Sequence, residues 1–360
     1  MNDSLRSLLS GHRRGIMPST ARAALGLAAI GYGLGVGWRN RRYDRGVGVN
    51  RADVPVISVG NLTAGGTGKT PVVAMLANHF RRWGVNVTLL SRGYRSLEAD
   101  GRPATNDEAR VLERLCPGVP HLQQPDRVAA AFEAVAQHDA ELLILDDGFQ
   151  HRRLARDLDI VLIDATNPFG YGCLLPRGLL REPIAALRRA DLVLLTRADT
   201  ATPEANYSIL RTIRNVAPRL PIVEIAFPPT GLVNPSGRRL PLERLEETPT
   251  LAFCGIGNPA GFEKTLVAAG LHPADVIAFA DHHHYRPADL FRLSQRADAL
   301  GAGAAVTTLK DLVKLRSDVL PGPTGVPLWA VETGCEVLAN GSALFDRLDA
   351  FVGRVASRAA

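Results

Sequence analysis

Thr63-Ala64-Gly65-Gly66-Thr67-Gly68-Lys69-Thr70, entered from the apolar run Val54-Pro-Val-Ile-Ser-Val59, has the order of a phosphate-binding loop. The template is G-x-x-x-x-G-K-[ST]; Gly68, Lys69 and Thr70 match it, and Thr63 stands where the first glycine is expected. Gly65 and Gly66 let the chain turn its N–H groups toward phosphate oxygens. Lys69 is placed to reach the β and γ phosphates of ATP, and the Thr70 hydroxyl to hold Mg²⁺. The flanking pattern predicts a strand before the loop and a helix from about Thr70 to Trp83 after it.

Further strand-length apolar runs follow: Val85-Asn-Val-Thr-Leu-Leu90, Glu141-Leu-Leu-Ile-Leu145, Leu158-Asp-Ile-Val-Leu-Ile163 and Asp191-Leu-Val-Leu-Leu195. A helical segment from about Arg127 to Gln137 lies among them. Such alternation implies βαβ units and a largely parallel sheet covered on both faces, that is, an α/β fold of the P-loop NTPase-like kind. Phe227-Pro-Pro-Thr-Gly231 marks a boundary. Beyond it Leu251–Cys254, Asp275–Phe279, Ala304–Thr308 and Val326–Val331 read as strands of a second, smaller α/β domain. Helices are expected near Pro259–Ala269, Pro287–Leu300 and Gly341–Val355. The expected division is 1–45 for an N-terminal membrane-associated helix, 46–228 for the phosphate-binding domain, 229–335 for the smaller domain and 336–360 for a helix packing back on the main one.

Ligands of parallel sheets bind at the carboxyl ends of the strands, where Asp146, Thr196 and the glycine loop all fall. Asp146-Asp147 at the end of a buried strand is the natural carboxylate partner for Mg²⁺. ParA-like ATPases carry an additional lysine before the two glycines; Ala64 occupies that place and argues against that class. A base-reading Asn-Lys-x-Asp motif, expected of a GTPase, is replaced by Thr196-Arg197-Ala198-Asp199.

The 360 residues carry a formal net charge of +6. This suits an anionic membrane surface, an acidic substrate or nucleic acid; the basic side chains interleaved with aromatics that nucleic-acid binding favours are not found, and none is expected as a partner. Lysine occurs only at positions 69, 264, 310 and 314, so nearly all of the 42 basic residues are arginine. A lysine kept against that bias marks a place where a compact ammonium is needed. Cys116, Cys173, Cys254 and Cys335 lie far apart and form no C-x-x-C pair, as reduced thiols do. The apolar run Ala23–Trp38 is preceded by Arg13, Arg14 and Arg22 and followed by Arg39, Arg41, Arg42 and Arg45. It is shorter than the about 20 strongly apolar residues of a spanning helix. We read it as an interfacial helix with its arginines at anionic headgroups, the alternative being a helix packed on the protein's own core.

Val59-Gly-Asn-Leu-Thr-Ala-Gly-Gly-Thr-Gly-Lys-Thr-Pro71 closely resembles the loop of the tetraacyldisaccharide 4'-kinase (lipid A 4'-kinase) family. So do Leu90-Ser-Arg-Gly-Tyr94, Asp107-Glu108, Asp146-Asp-Gly-Phe-Gln-His151, Leu174-Leu-Pro176, Leu180-Arg-Glu-Pro183, Asp281-His-His283 and Thr308-Leu-Lys-Asp311. The chain departs from the family pattern at Leu309, where glutamate is usual, at Arg177 and Leu179, and at Asn106.

The resemblance implies transfer of the ATP γ-phosphoryl group to the 4'-hydroxyl of tetraacyldisaccharide 1-phosphate in lipid A biosynthesis. The acceptor is an anionic glycolipid of the cytoplasmic leaflet of the inner membrane, and no obligate protein partner follows. The resemblance further implies that Asp107 is the base, oriented by a histidine of the Asp281-His282-His283 segment, His282 in the first place, with the two partners drawn from different domains. Taken without the resemblance, Asp107-Glu108 reads as an acidic pair favouring a helix N-terminus, and His282-His283-His284 as an exposed loop rather than a metal site. Gln150 and His151 are expected near the γ-phosphate, and Arg92, Glu108, Arg181 and Lys310 near the acceptor or the phosphates.

Overall fold

The apolar runs of the first half become strands buried along all or nearly all of their length. A computed structural model describes residues 3–93, 107–315 and 325–359; Tyr94 and Asn106 lie outside the described residues. In chain order the elements are α1 (Asp3–Leu9), α2 (Ile16–Asp44), β1 (Val56–Asn61), α3 (Lys69–Arg82), β2 (Val87–Ser91), α4 (Asp107–Leu115), β3 (His121–Gln123), α5 (Arg127–His138), β4 (Leu142–Asp146), β5 (Leu158–Asp164), β6 (Leu192–Thr196), α6 (Pro203–Val216) and β7 (Ile222–Ala226). Then come β8 (Pro229–Val233), β9 (Arg239–Leu240), β10 (Thr250–Cys254), α7 (Pro259–Ala268), β11 (Asp275–Ala278), α8 (Pro287–Leu300), β12 (Ala304–Thr308), α9 (Leu309–Leu312), β13 (Leu328–Thr333), β14 (Glu336–Ala339) and α10 (Ser342–Ala359).

Two units emerge. The first holds residues up to 104, 115–226 and 337–360; the second holds 105–114 and 227–336. An eight-stranded sheet of order β14-β7-β6-β5-β1-β4-β2-β3 runs through the first. The neighbours from β7 to β3 are all parallel. Helices cover both faces, so β1, β4 and β6 carry no exposed position, as parallel strands require. Val59 pairs with Asp146 across β1 and β4, which sets the glycine loop and the acidic strand end side by side. The close approach of these two segments depends on glycine. A Cβ on Gly148 would lie 2.6 Å from Ser58 Oγ, and one on Gly60 would lie 2.5 Å from Phe149 Cβ.

The second unit is built on a six-stranded sheet of order β11-β10-β12-β13-β8-β9. Its β10 to β13 are parallel, and β8 and β9 add antiparallel strands at one edge. One apolar cluster, with Phe262, Leu266 and Trp329, lies on one side of the sheet; another, with Phe253, Leu293 and Leu312, lies on the other.

The segment carrying Asp107 belongs to this second unit and not to the 46–228 stretch in which the sequence reading placed it. The cause is local. Arg110 donates to Val313 O at 3.4 Å, and Arg114 donates to Asn234 O at 3.4 Å and Pro235 O at 3.0 Å. Asp107 and His282 therefore come from one unit, which corrects the expectation of partners from different domains.

All four cysteines are free, and burial pushes the Cys116 and Cys254 thiols up to about 11. No helix among the described residues is long and apolar enough to cross a membrane. The 29-residue α2 instead shows two unlike faces. Ala29 and Val36 are buried, Tyr32 donates to Arg181 O at 3.0 Å and Asn40 donates to the Glu182 carboxylate at 2.6 Å. On the other face Leu27, Ile30, Leu34 and Trp38, spaced three or four residues apart, are 61–73% exposed.

Candidate active site

In the first unit the expected residues centre on the loop between β1 and α3. Gly68 caps α3 in the left-handed conformation, φ 88°, so the loop amides gather at the positive end of the helix dipole, where anions bind. A Cβ on Gly65 or Gly66 would meet nothing within 4 Å, which leaves an open cradle over the backbone. The loop is fixed from behind. Asn61 Nδ2 donates to Thr63 O at 2.6 Å, Ala64 N to Leu179 O at 2.7 Å and Thr196 Oγ1 to Thr67 O at 3.0 Å. Arg197, itself paired with Asp164, donates to Gly66 O.

Lys69 Nζ lies 3.5 Å from Asp147 Oδ1 and 3.5 Å from Asn61 Oδ1. Arg181 Nη1 donates to both oxygens of Asp147, at 3.0 and 2.8 Å. Burial alone would raise the Asp147 carboxyl; Lys69 and Arg181 outweigh it and hold the group below the ordinary carboxylate range. Asp147 takes a positive φ of 55°, uncommon outside glycine and a feature of strained functional positions. Asp146 is 5% exposed and Thr70 8% exposed.

Of the expected neighbours, Gln150 is brought to the loop, with Nε2 donating to Asn61 O at 3.0 Å. His151 instead sits among Arg127, Arg153 and Arg156. Burial first, then these cations, push it down to about 4, so it is neutral at neutral pH. Arg92 is exposed at the end of β2. Sequence reasoning missed Arg127, which is buried and donates to Asp146 O at 3.3 Å and Asp147 O at 3.4 Å. A signal existed: an arginine opening α5 opposes the helix dipole and needs another reason to be there.

The other unit gathers a separate group of the expected residues where β10, β11 and β12 end. Asp107 and Glu108 form the first turn of α4, favourable for the dipole. His282 Nδ1 lies 3.6 Å from Asp107 Oδ2, and His282 has a φ of 58°. His283 is engaged elsewhere: its Nε2 is 2.9 Å from Asp289 Oδ2, and its ring stacks on Phe279 at 4.7 Å. That leaves His282 as the partner of Asp107. Lys310 pairs with Glu108 at 3.3 Å.

A profile of the tetraacyldisaccharide-1-P 4'-kinase family (LpxK) matches residues 21–352. The chain belongs to this family. The tetraacyldisaccharide 4'-kinase of Anaeromyxobacter sp. (strain K) is 42% identical over 352 residues, covering 94% of this chain and 93% of that protein. That of Geobacter sulfurreducens is 41% identical over 324 residues, covering 86% and 89%. The crystal structure of the "apo" form of LpxK from Aquifex aeolicus in complex with ATP is similar over 93% of this chain and 99% of that one. Its TM-score is 0.71 and its identity 29%. The chain is thus a lipid A 4'-kinase by family, and a glycolipid is its acceptor.

Proposed function

We propose that the loop 63–70 holds the triphosphate of ATP and that Asp107 takes the proton of the acceptor's 4'-hydroxyl. The observation that carries this reading is the pairing of Asp107 with His282, at 3.6 Å, among strand-end loops. In the reaction the 4'-oxygen bonds to the γ-phosphorus while the bond from phosphorus to the β–γ bridging oxygen breaks. The electron pair leaves on ADP, and the hydroxyl proton passes to the Asp107 carboxylate. His282 orients that carboxylate. Lys69 and the loop amides neutralise the growing charge on the phosphates, and Arg181 keeps Asp147 ionised beside them.

Thr70, Asp146 and Asp147 offer a hydroxyl and carboxylate oxygens, the donors a hard divalent cation takes beside phosphate. They would hold Mg²⁺, which when bound supplies charge neutralisation on the β and γ phosphates. No group of three or more His, Cys, Asp or Glu among the described residues forms a metal cage, so phosphate and water oxygens would complete the shell, as is usual for this ion.

The acceptor carries four acyl chains and stays in a bilayer, and ATP is available on its cytoplasmic side. The face of α2 formed by Leu27, Ile30, Leu34 and Trp38, with Arg13, Arg14, Arg41, Arg42 and Arg45 exposed near its ends, is the surface that lies on the cytoplasmic leaflet of the inner membrane. The double variant Leu34→Glu, Trp38→Glu is expected to lower partition onto vesicles containing anionic phospholipid by about tenfold or more. Cosedimentation at wild-type levels overturns the assignment. These variants are cleaner than removing residues 1–40, which would also strip Tyr32 and Asn40 from Arg181 and Glu182.

The activity itself is tested by incubating the full chain with γ-labelled ATP and the purified tetraacyldisaccharide 1-phosphate. Label is expected on the lipid; label released only as inorganic phosphate ends the reading.

A further inference from the structure

Three of the four lysines have evident settings: Lys69 is in the phosphate loop, Lys310 is paired with Glu108 and Lys264 lies exposed on α7. The fourth, Lys314, is buried, its side chain only 5% exposed. It follows α9 and reaches into the place where the ends of β10 and β12 and the start of α4 meet. Its Nζ donates to Gly255 O at 3.3 Å and to Asp311 Oδ1 at 3.0 Å, and lies 3.9 Å from Asp107 Oδ2.

The surroundings are rigid. Asp311, fully buried, accepts from Gly255 N at 2.9 Å and Thr308 Oγ1 at 2.7 Å. Gly255 O accepts in turn from His282 N at 3.1 Å. One main-chain carbonyl therefore ties the ammonium to the backbone of the residue whose ring faces Asp107. Among the described residues, His282 from the loop after β11 and Lys314 lie against Asp107; Asp311 pairs with Lys314, Lys310 of α9 with Glu108 of α4, and Tyr285 and Cys254 lie beside Asp311. Among these, Lys314 is the cation held at a fixed place by the fold. His282 is mostly exposed.

We propose that Lys314 is a positioning residue for the phosphoryl transfer, its buried ammonium holding the Asp107 carboxylate in place against His282. This rests on the reading of Asp107 as the base. An ammonium serves here and a guanidinium does not: the pocket bounded by Gly255 O and the two carboxylates takes a compact point charge with three donors, whereas Arg presents a planar fork. That accounts for a lysine at this position in a chain that otherwise prefers arginine.

The bland role is distinct and testable: Lys314 is also the counter-ion of Asp311, and removing it alone leaves a buried carboxylate uncompensated, which is strongly destabilising. The experiment therefore uses Lys314→Met, the neutralised pair Lys314→Met with Asp311→Asn, and Asp107→Asn. Each full chain is measured by Tm, by kcat with both substrates saturating, and by the KM for ATP. The neutralised pair is expected to keep a Tm near wild type and still lose about tenfold or more in kcat, with the KM for ATP within about twofold, because a misplaced base slows the transfer and leaves nucleotide binding intact. Asp107→Asn is expected to be slow in every background, with no further loss on adding the Lys314 change. Recovery of wild-type kcat in the neutralised pair, with Asp107→Asn slow, overturns the role of Lys314 and leaves the base in place. Wild-type turnover in Asp107→Asn overturns both.

Discussion

Asp107→Asn is expected to turn over about 100-fold more slowly than wild type, the low end of the range for a lost general base. The low end is expected because phosphoryl transfer passes through a loose transition state, in which the attacking hydroxyl carries little charge and needs its proton removed late. Asparagine keeps the shape of the side chain at the start of α4, so the change removes the charge and the basic lone pair with little else. The KM for ATP is expected to stay within about twofold, since the groups assigned to the nucleotide belong to the loop 63–70 and Asp107 is assigned to the acceptor hydroxyl. The adjacent carboxylate supplies the control. Glu108 pairs with Lys310 at 3.3 Å, each more than a third exposed, and such a pair is worth about 0–1 kcal/mol. Glu108→Gln should therefore change kcat by less than about fivefold. A rate for Asp107→Asn within threefold of wild type, in the same labelled-lipid assay, removes the base from this reading.

Much of the first sheet was legible because parallel strands covered on both faces must be apolar throughout. Leu142–Asp146 and Leu192–Thr196 declare themselves by composition alone. Elements that do not meet this condition stayed hidden. β3 has three residues, none fully buried, and β7 is interrupted by Glu224. The helix α2 was legible in part. Both of its faces are apolar, so no periodic contrast reveals which side docks. Val36 and Ala29 turn inward only because Tyr32 and Asn40 find Arg181 and Glu182, about 140–150 residues away in sequence.

The site divides the same way. The glycine loop and Asp146-Asp147 carry their chemistry in local order. The clamp of Arg181 on Asp147 joins residues 34 positions apart through the loop after β5, and nothing in either neighbourhood announces it. Asp107 was found through a motif, but its unit was misjudged, because membership is decided by Arg110 and Arg114 reaching carbonyls at 313, 234 and 235. Lys314 was visible only through scarcity: the same four-lysine inventory that marks Lys69 marks it too.

Lys69→Ala is expected to lose about 10²–10³ in kcat, the usual loss when one preorganised charge partner of a transition state is removed, with a smaller rise in the KM for ATP. The split follows from the geometry. The loop amides and the dipole of α3 bind the triphosphate in its ground state whether or not Lys69 is present. The ammonium contributes most as charge moves onto the β–γ bridging oxygen, so its removal acts chiefly on kcat. Its contacts to Asp147 and Asn61, both at 3.5 Å, are at the long end for a hydrogen bond or ion pair. They keep the side chain aimed without competing strongly with a phosphate. Lys69→Arg distinguishes charge from shape. If charge alone sufficed, arginine would restore the rate, and this chain uses arginine almost everywhere else. The side chain is only 12% exposed and is confined between Asn61 and Asp147, so the planar guanidinium is expected to fit poorly and recover less than about a tenth of the lost activity. Equal loss in kcat and in ATP affinity for both variants, measured by turnover and by calorimetric titration with ATP, would place Lys69 in ground-state binding instead and return the charge stabilisation to the loop amides and the metal.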